Sequence, residues 1–251
     1  MPTTSKPEVS KLDLLDQSLT CFAQHGLQGT SIDELTAALR VSHRTFYQVL
    51  GKKAVVIEQV YAYATQRLLI GCPEAPRAGE KLQQYLGRWW QQTAVAAQAD
   101  PRAFRYWQFY RTSPHVTAAS EPVLGPFAAV PDLLTQALKQ PRARPAADAL
   151  PLPVLSRWGA AQWTAAVEVV LTDPACQAQS ALGQRLLTQA YASWWQSLGI
   201  AATVPAAATP PTPNVWGWLA KGMADHFVAT GSGPTGNAAS SDLAKWKPLP
   251  E

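Results

Sequence analysis

Apolar and polar positions alternate along the first sixty residues with a helical period. Leu12, Leu15, Leu19 and Phe22 follow at spacings of three, four and three, which places them on one stripe of a helix. Gly26 stands where a left-handed C-terminal cap is needed, so this helix is predicted to end near His25. Thr30 and Ser31 precede the run Ile32, Leu35, Leu39, and Ser31 with Glu34 has capping-box spacing, which predicts a short second helix. Leu39, Arg40 and Val41 interrupt that pattern before Ser42, a second candidate N-cap, opens His43–Val49. The order is helix, helix, short turn, short helix and the start of a fourth helix, the pattern of a helix-turn-helix.

Beyond residue 53 the chain reads as helices separated by prolines, glycines and aspartates. Helices are predicted near 53–70, 78–98, 101–112, 122–139, 153–171 and 176–198, with the proline-rich stretch 140–153 as a loop. No strand alternation competes and no fixed-period repeat is visible, so the fold class is all-α. The predicted organisation is a disordered arm at 1–10, a helix-turn-helix domain at 11–56 and a larger helical domain at 57–199. An extension follows at 200–251. Its Ala, Pro and Thr content at 201–213 is that of a linker, and Trp216, Leu219, Met223 and Phe227 share one face of a predicted helix at about 214–229. Docking of that helix on the protein's own body is the expectation for it.

Charge sharpens the picture where it is local. The first 60 residues carry six Lys or Arg and six Asp or Glu, so the net +4 of the chain arises after them. Within residues 40–53, Arg40, Arg44, Lys52 and Lys53 meet no acid in the sequence, which polarises one segment toward phosphate. A helix of about two turns at 43–49 has the size to enter a major groove roughly 12 Å wide.

Phe22, Gly26, Thr30-Ser31, Val41-Ser42, Thr45, Tyr47 and Lys53 stand at spacings that resemble the TetR family of bacterial transcriptional regulators, over about residues 11–62. Beyond that the likeness is one of architecture. The resemblance implies an N-terminal DNA-binding domain and a helical body that binds a small ligand and forms a homodimer, with DNA released when the ligand binds. It implies that Thr45 and Tyr47 hold the DNA backbone by their hydroxyls and that Lys53 meets a phosphate, while His43, Arg44 and Gln48 read bases. Ser42 opens that helix, and Thr30 or Ser31 would offer a hydroxyl and backbone amides to another phosphate. Arg40 departs from the glycine common in the family's turn. A left-handed conformation there would cost on the order of 1 kcal/mol.

Two features of the body bear on function. Residues 85–110 hold eight aromatic side chains, more than one helix face can bury, so a cavity lined by Tyr85, Trp89, Trp107, Gln108, Tyr110, Arg111 and Trp163 is expected to take an aromatic or apolar effector. An aromatic core without a cavity is the alternative. In the last two helices Leu182, Leu186, Ala190 and Trp194 recur every four residues, with Trp158 and Ala165 on the preceding helix, and together they predict a dimer interface. Burial within the same chain is the alternative there.

The remaining composition excludes other classes. Cys21, Cys72 and Cys176 are widely separated and form no CxxC pair, so neither a disulfide framework nor a metal site is expected. The four histidines are scattered and no nucleophile-elbow or paired-carboxylate spacing occurs, so neither an enzyme nor a cofactor is expected. GSGPTG at 231–236 lacks the ending of a phosphate loop. No apolar run of membrane-spanning length or signal peptide is visible, which predicts a cytoplasmic protein with no membrane partner. The rival to a ligand-responsive repressor is a helical protein that keeps the helix-turn-helix fold and acts through protein contacts.

Overall fold

The computed structural model describes residues 10–73, 76–115, 130–138 and 150–200. The predicted arm, tail helix and most of the loop at 140–153 lie outside them. The chain divides into two units, Met1–Pro213 and Asn214–Glu251, and the second falls wholly outside the described residues. Among the described residues there are α-helices and one 3-10 turn and no strand.

The first helix, α1 (Lys11–Gly29), opens on Ser10, whose hydroxyl accepts from the Asp13 amide at 3.1 Å. Its regular part ends where predicted, because Gly26 takes φ 76° and ψ 169°, and a further helical turn at Leu27–Gly29 sets off in a new direction. Leu14, Leu15, Leu19 and Phe22 form the buried face; Leu12, predicted on that stripe, is exposed. Helix α2 (Ile32–Leu39) carries the predicted capping box. The Ser31 hydroxyl accepts from the Glu34 amide at 3.1 Å and Glu34 Oε2 accepts from the Ser31 amide at 2.6 Å.

Helix α3 (His43–Val49) is followed by α4 (Lys53–Leu69), α5 (Leu82–Ala99) and α6 (Pro101–Arg111). After these come α7 (Val130–Leu138), α8 (Leu152–Thr172) and α9 (Ala181–Ser197). The start of the helix predicted at 122–139 lies outside the described residues, and two of the other starts differ from the sequence expectation. Helix α5 begins at 82 rather than 78, because Arg77–Glu80 forms a turn closed by the Glu80 amide on the Arg77 carbonyl at 2.9 Å. Helix α9 begins at 181 rather than 176. A 3-10 turn, Pro174–Cys176, comes first, and the Ser180 hydroxyl then accepts from the Gly183 amide at 3.0 Å.

One hydrophobic cluster runs from Leu14 on α1 to Ile200, so the helix-turn-helix and the body share a core. Helix α4 lies within it, burying Val56, Ile57, Val60, Tyr61, Ala64 and Leu68. Phe22 of α1 meets Tyr106 of α6 with ring centroids 5.7 Å apart, and the Tyr106 hydroxyl donates to the Ile57 carbonyl at 2.6 Å. Three elements thus meet at one tyrosine.

The aromatic residues of the body pack on one another. Trp107 and Trp163 meet edge to face at 5.5 Å, Tyr61 and Tyr110 stack at 3.9 Å, and Arg111 lies 4.5 Å over Trp107. Tyr85 and Trp89 both donate to the Pro73 carbonyl, at 3.2 and 2.8 Å, while Trp163 Nε1 donates to the Trp90 carbonyl at 3.3 Å. Gln108 is tied to Glu168 at 2.6 Å. Tyr85, Trp89, Trp107, Tyr110 and Trp163 thus lie buried in ring contacts and hydrogen bonds, as the aromatic-core alternative has it, while Gln108 and Arg111 are half-buried beside them.

The four-residue repeat on α9 is corrected in part. A helix turns about 100° per residue, so a stride of four precesses by about 40° at each step. Leu182 is exposed, Leu186 and Ala190 are half-buried, and Trp194 and Leu198 are in the core. Trp194 belongs to the protein's own interior, where it stacks on Trp90 at 5.7 Å and donates to the Leu155 carbonyl at 2.9 Å.

Candidate nucleic-acid interface

The turn between α2 and α3 is closed by backbone. Arg40 adopts φ 51° and ψ 37°, its amide donates to the Ala37 carbonyl at 3.2 Å, and the Val41 amide reaches back to the Thr36 carbonyl at 3.1 Å. These are the two bonds of a Schellman motif, a geometry that favours glycine at the left-handed position. Arginine holds it here at a strain of about 1 kcal/mol. Val41 packs against the core beyond the turn and fixes where α3 starts.

Ser42 then caps α3: its hydroxyl accepts from the Thr45 amide at 3.1 Å and lies 2.9 Å from the Thr45 hydroxyl. Phe46 is fully buried and Leu50 nearly so, and these two anchor the short helix. Everything else it carries before Val49 faces solvent. Ser42, His43, Arg44, Thr45, Tyr47 and Gln48 are exposed, Tyr47 to 47%. The Tyr47 and Phe46 rings meet edge to face with centroids 5.9 Å apart. The predicted residues thus form one contiguous surface on α3.

Around that surface the predicted contacts divide. Ser31 is exposed at the start of α2, but Thr30 is fully buried and its hydroxyl donates to the Gly26 carbonyl at 2.8 Å. Its hydroxyl cannot reach a phosphate, which corrects its place among the contact residues. Lys52 is exposed and Lys53, the first residue of α4, is half-buried. The Glu34 carboxyl is held below the usual carboxylate range by hydrogen bonds from the Ser31 amide and hydroxyl, with smaller help from the His25 and Lys53 charges.

Sequence reasoning missed one acid. Asp33 on α2 approaches His43, with Oδ1 3.1 Å from Nε2, although the sequence of residues 40–53 holds no acid. The contact crosses the turn between the two helices, so only its three-dimensional closure brings the pair together. A shallow groove of about 390 Å³ also opens behind the turn, lined by Asp13, Leu14, Gln17, Ala38, Leu39 and Arg40. It faces α1 rather than the exposed surface of α3.

On the far side of the body, Val154, Trp158 and Val169 are exposed along α8, as are Ala161 and Ala165 between them, with Leu182 exposed on α9. The Gln162 amide, oriented to donate to the Ala190 carbonyl at 3.0 Å, accepts from Trp158 Nε1 at 3.1 Å. This pins the indole of Trp158 to the surface between the two helices. Of the six residues predicted for a dimer interface, Trp158, Ala165 and Leu182 lie exposed, Leu186 and Ala190 half-buried beside them, and Trp194 faces inward. Among the described residues no group of three or more metal-ligating side chains occurs, and no helix is long and apolar enough to cross a membrane.

Residues 14–60 match the family described as bacterial regulatory proteins, tetR family. No curated protein matches the chain. Among solved structures, a putative tetR family transcription regulator from Shewanella sp. PV-4 is similar at TM-score 0.65 and 18% identity, over 77% of this chain and 100% of that one. A TetR family transcription regulator from Marinobacter aquaeolei VT8 is similar at TM-score 0.61 and 18% identity, over 76% of this chain and 96% of that one. The match over residues 14–60 covers the capped turn and the whole of α3, and the two structures share the all-helical fold.

Proposed function

From the premise that residues 14–60 form a tetR-family helix-turn-helix, we propose that this protein is a DNA-binding transcriptional regulator that reads a two-fold symmetric operator as a homodimer. The observation that carries the reading is α3. Buried Phe46 and Leu50 hold it, and it presents His43, Arg44, Thr45, Tyr47 and Gln48 together to solvent. Arg44 suits a guanine edge, Gln48 an adenine edge, and the Thr45 and Tyr47 hydroxyls suit phosphate oxygens. Ser31 and Lys53 flank the surface as further phosphate partners.

Dimerisation is proposed through the apolar strip of α8 and α9, Val154, Trp158, Ala165, Val169, Leu182 and Leu186. Two copies of that strip facing each other would form a four-helix interface. Two copies of α3 would then enter adjacent major grooves about 34 Å apart.

We further propose repression relieved by a small apolar molecule. Trp107 Nε1 on α6 and the Thr65 hydroxyl on α4 are each buried without a hydrogen-bond partner, so a largely apolar ligand entering beside these helices would gain by carrying one polar group to meet either atom. A ligand lodged there would shift α4 and the separation of the two α3 helices.

Selection from random duplex DNA at moderate salt, with Tyr47→Ala in parallel, tests the first claim. Enrichment of a two-fold symmetric site by the parent and not by the variant is the expected result. No enrichment at low or moderate salt would transfer the role of this surface to protein contacts. Affinity for the selected site should fall by about 0.9 log unit per log unit of salt for each phosphate contact.

A further inference from the structure

We infer that Arg102 is a positioning residue for DNA reading, which locks α1 to the start of α6 and so sets the half-site spacing that the dimer accepts. The inference rests on the operator-reading function proposed above. Arg102 is the second residue of α6, and its guanidinium grips two carboxylates at once. Toward α6, Nε and Nη2 donate to the two oxygens of Asp100 at 2.9 and 3.0 Å. Toward α1, Nη1 and Nη2 donate to the two oxygens of Asp16 at 3.1 Å each, and Nη1 also donates to the Thr20 hydroxyl at 2.8 Å.

The surroundings complete a closed set. Asp100 stands at the N-cap position of α6 but makes no capping hydrogen bond; besides Arg102 it accepts from Arg67 of α4 at 3.1 Å. Asp16 also accepts from the Tyr63 hydroxyl of α4 at 3.1 Å. Two arginines and two aspartates therefore join α1, α4 and α6 with their charges balanced. Asp100 is almost wholly enclosed, and the other three are about a third exposed.

Geometry separates this cluster from a simple stabilising contact. A guanidinium has its donors in a rigid plane, so gripping a carboxylate on each of two edges fixes direction as well as distance. Six residues further along α1 and four further along α6, Phe22 meets Tyr106. α1 is thus held to α6 at two points, a polar one and an apolar one, and two points define an angle. Partly buried ion pairs add little net stability over well-packed apolar groups, and setting register is their best-attested use. α1 shares its core with α2 and α3 through Leu15, Leu19, Leu35 and Phe46, so the angle of α1 against the body is also the angle of α3.

The test uses the full-length protein and the selected operator, together with versions lengthened and shortened by one base pair between half-sites. Parent protein is compared with Arg102→Ala and with the milder pair Tyr63→Phe and Asp16→Asn, while dimer content and melting temperature are recorded for each. The parent should prefer the selected spacing by about tenfold or more, and Arg102→Ala should bring the three DNAs within about threefold of one another while remaining a folded dimer. If Arg102→Ala does not fold, Asp16→Asn should give the same loss of spacing preference. Arg102→Ala and Asp16→Asn proteins that keep the parent's preference, whatever their affinity or melting temperature, would overturn the inference while leaving operator reading intact. A parent that selects no symmetric site overturns both.

Discussion

The backbone of Gly159 on α8 runs directly beneath the indole of Trp194 on α9. A Cβ built on Gly159 would lie 2.5 Å from Trp194 Nε1 and 2.6 Å from Cε2. The indole cannot retreat, because it donates to the Leu155 carbonyl on one side and stacks on Trp90 on the other. Gly159→Ala should therefore destabilise the protein by about 1 to 3 kcal/mol, the cost of overpacking a filled core. Chemical denaturation checks it, and an unchanged midpoint would mean that the two helices lie further apart than described.

Arg40 holds a left-handed turn that glycine would adopt without strain. Arg40→Gly should raise stability by up to about 1 kcal/mol, offset in part by the greater freedom of glycine in the unfolded chain. Arg40→Val, β-branched at the same position, should lower it. A thermal melt of the three proteins orders them, and valine equal to arginine would contradict the observed backbone.

Leu182 and Trp158 lie exposed on the strip proposed as the dimer interface. Replacing both by glutamate should leave helical content unchanged and weaken self-association by at least about 2 kcal/mol, roughly 30-fold in dissociation constant. Sedimentation velocity across a concentration series reads this directly. A parent that is itself monomeric at all concentrations would remove the interface from consideration.

Burial by itself would raise the Asp100 carboxyl, but hydrogen bonds and charge from Arg102 and then Arg67 outweigh it and hold the group below the usual aspartate range. A depressed folded value stabilises the protein in full above the unfolded aspartate value, about 3.9, and the benefit is lost as pH falls through the folded one. Asp100→Asn should thus cost about 2 kcal/mol at neutral pH. The gap between parent and variant should close only below about pH 4. Urea midpoints at pH 7, 5 and 3 test this, and a gap that closes between pH 7 and 5 would point to another titrating group.

How much of the fold and of the α3 surface is legible in the sequence depends on whether the deciding contact is local. Gly26, the Ser31–Glu34 box, the Ser42 cap and buried Phe46 act within four residues, and each can be read from its neighbours along the chain. The inward turn of Trp194 cannot, because a four-residue repeat drifts around the helix and the direction of the core is set by Trp90, far earlier in the sequence. The aromatic run in α5 and α6 gives a correct sense of abundance, whereas its consumption by ring contacts depends on which helices face one another. Asp33 beside His43, and Asp16 beside Arg102, escape for the same reason. Their partners are brought together only by tertiary closure.

The single core running from Leu14 to Ile200 bears on how this protein can be rebuilt. The interior of the helix-turn-helix is not closed by its own helices, since Phe22 rests on Tyr106 and Asp16 on Arg102, both supplied by α6. An excised fragment ending before α4 would leave an apolar face bare and should not stand alone. A chimera that grafts this DNA-reading surface onto another sensor must therefore carry its docking partners along, so that the natural cut for such engineering falls after α6 rather than at the turn before Lys53.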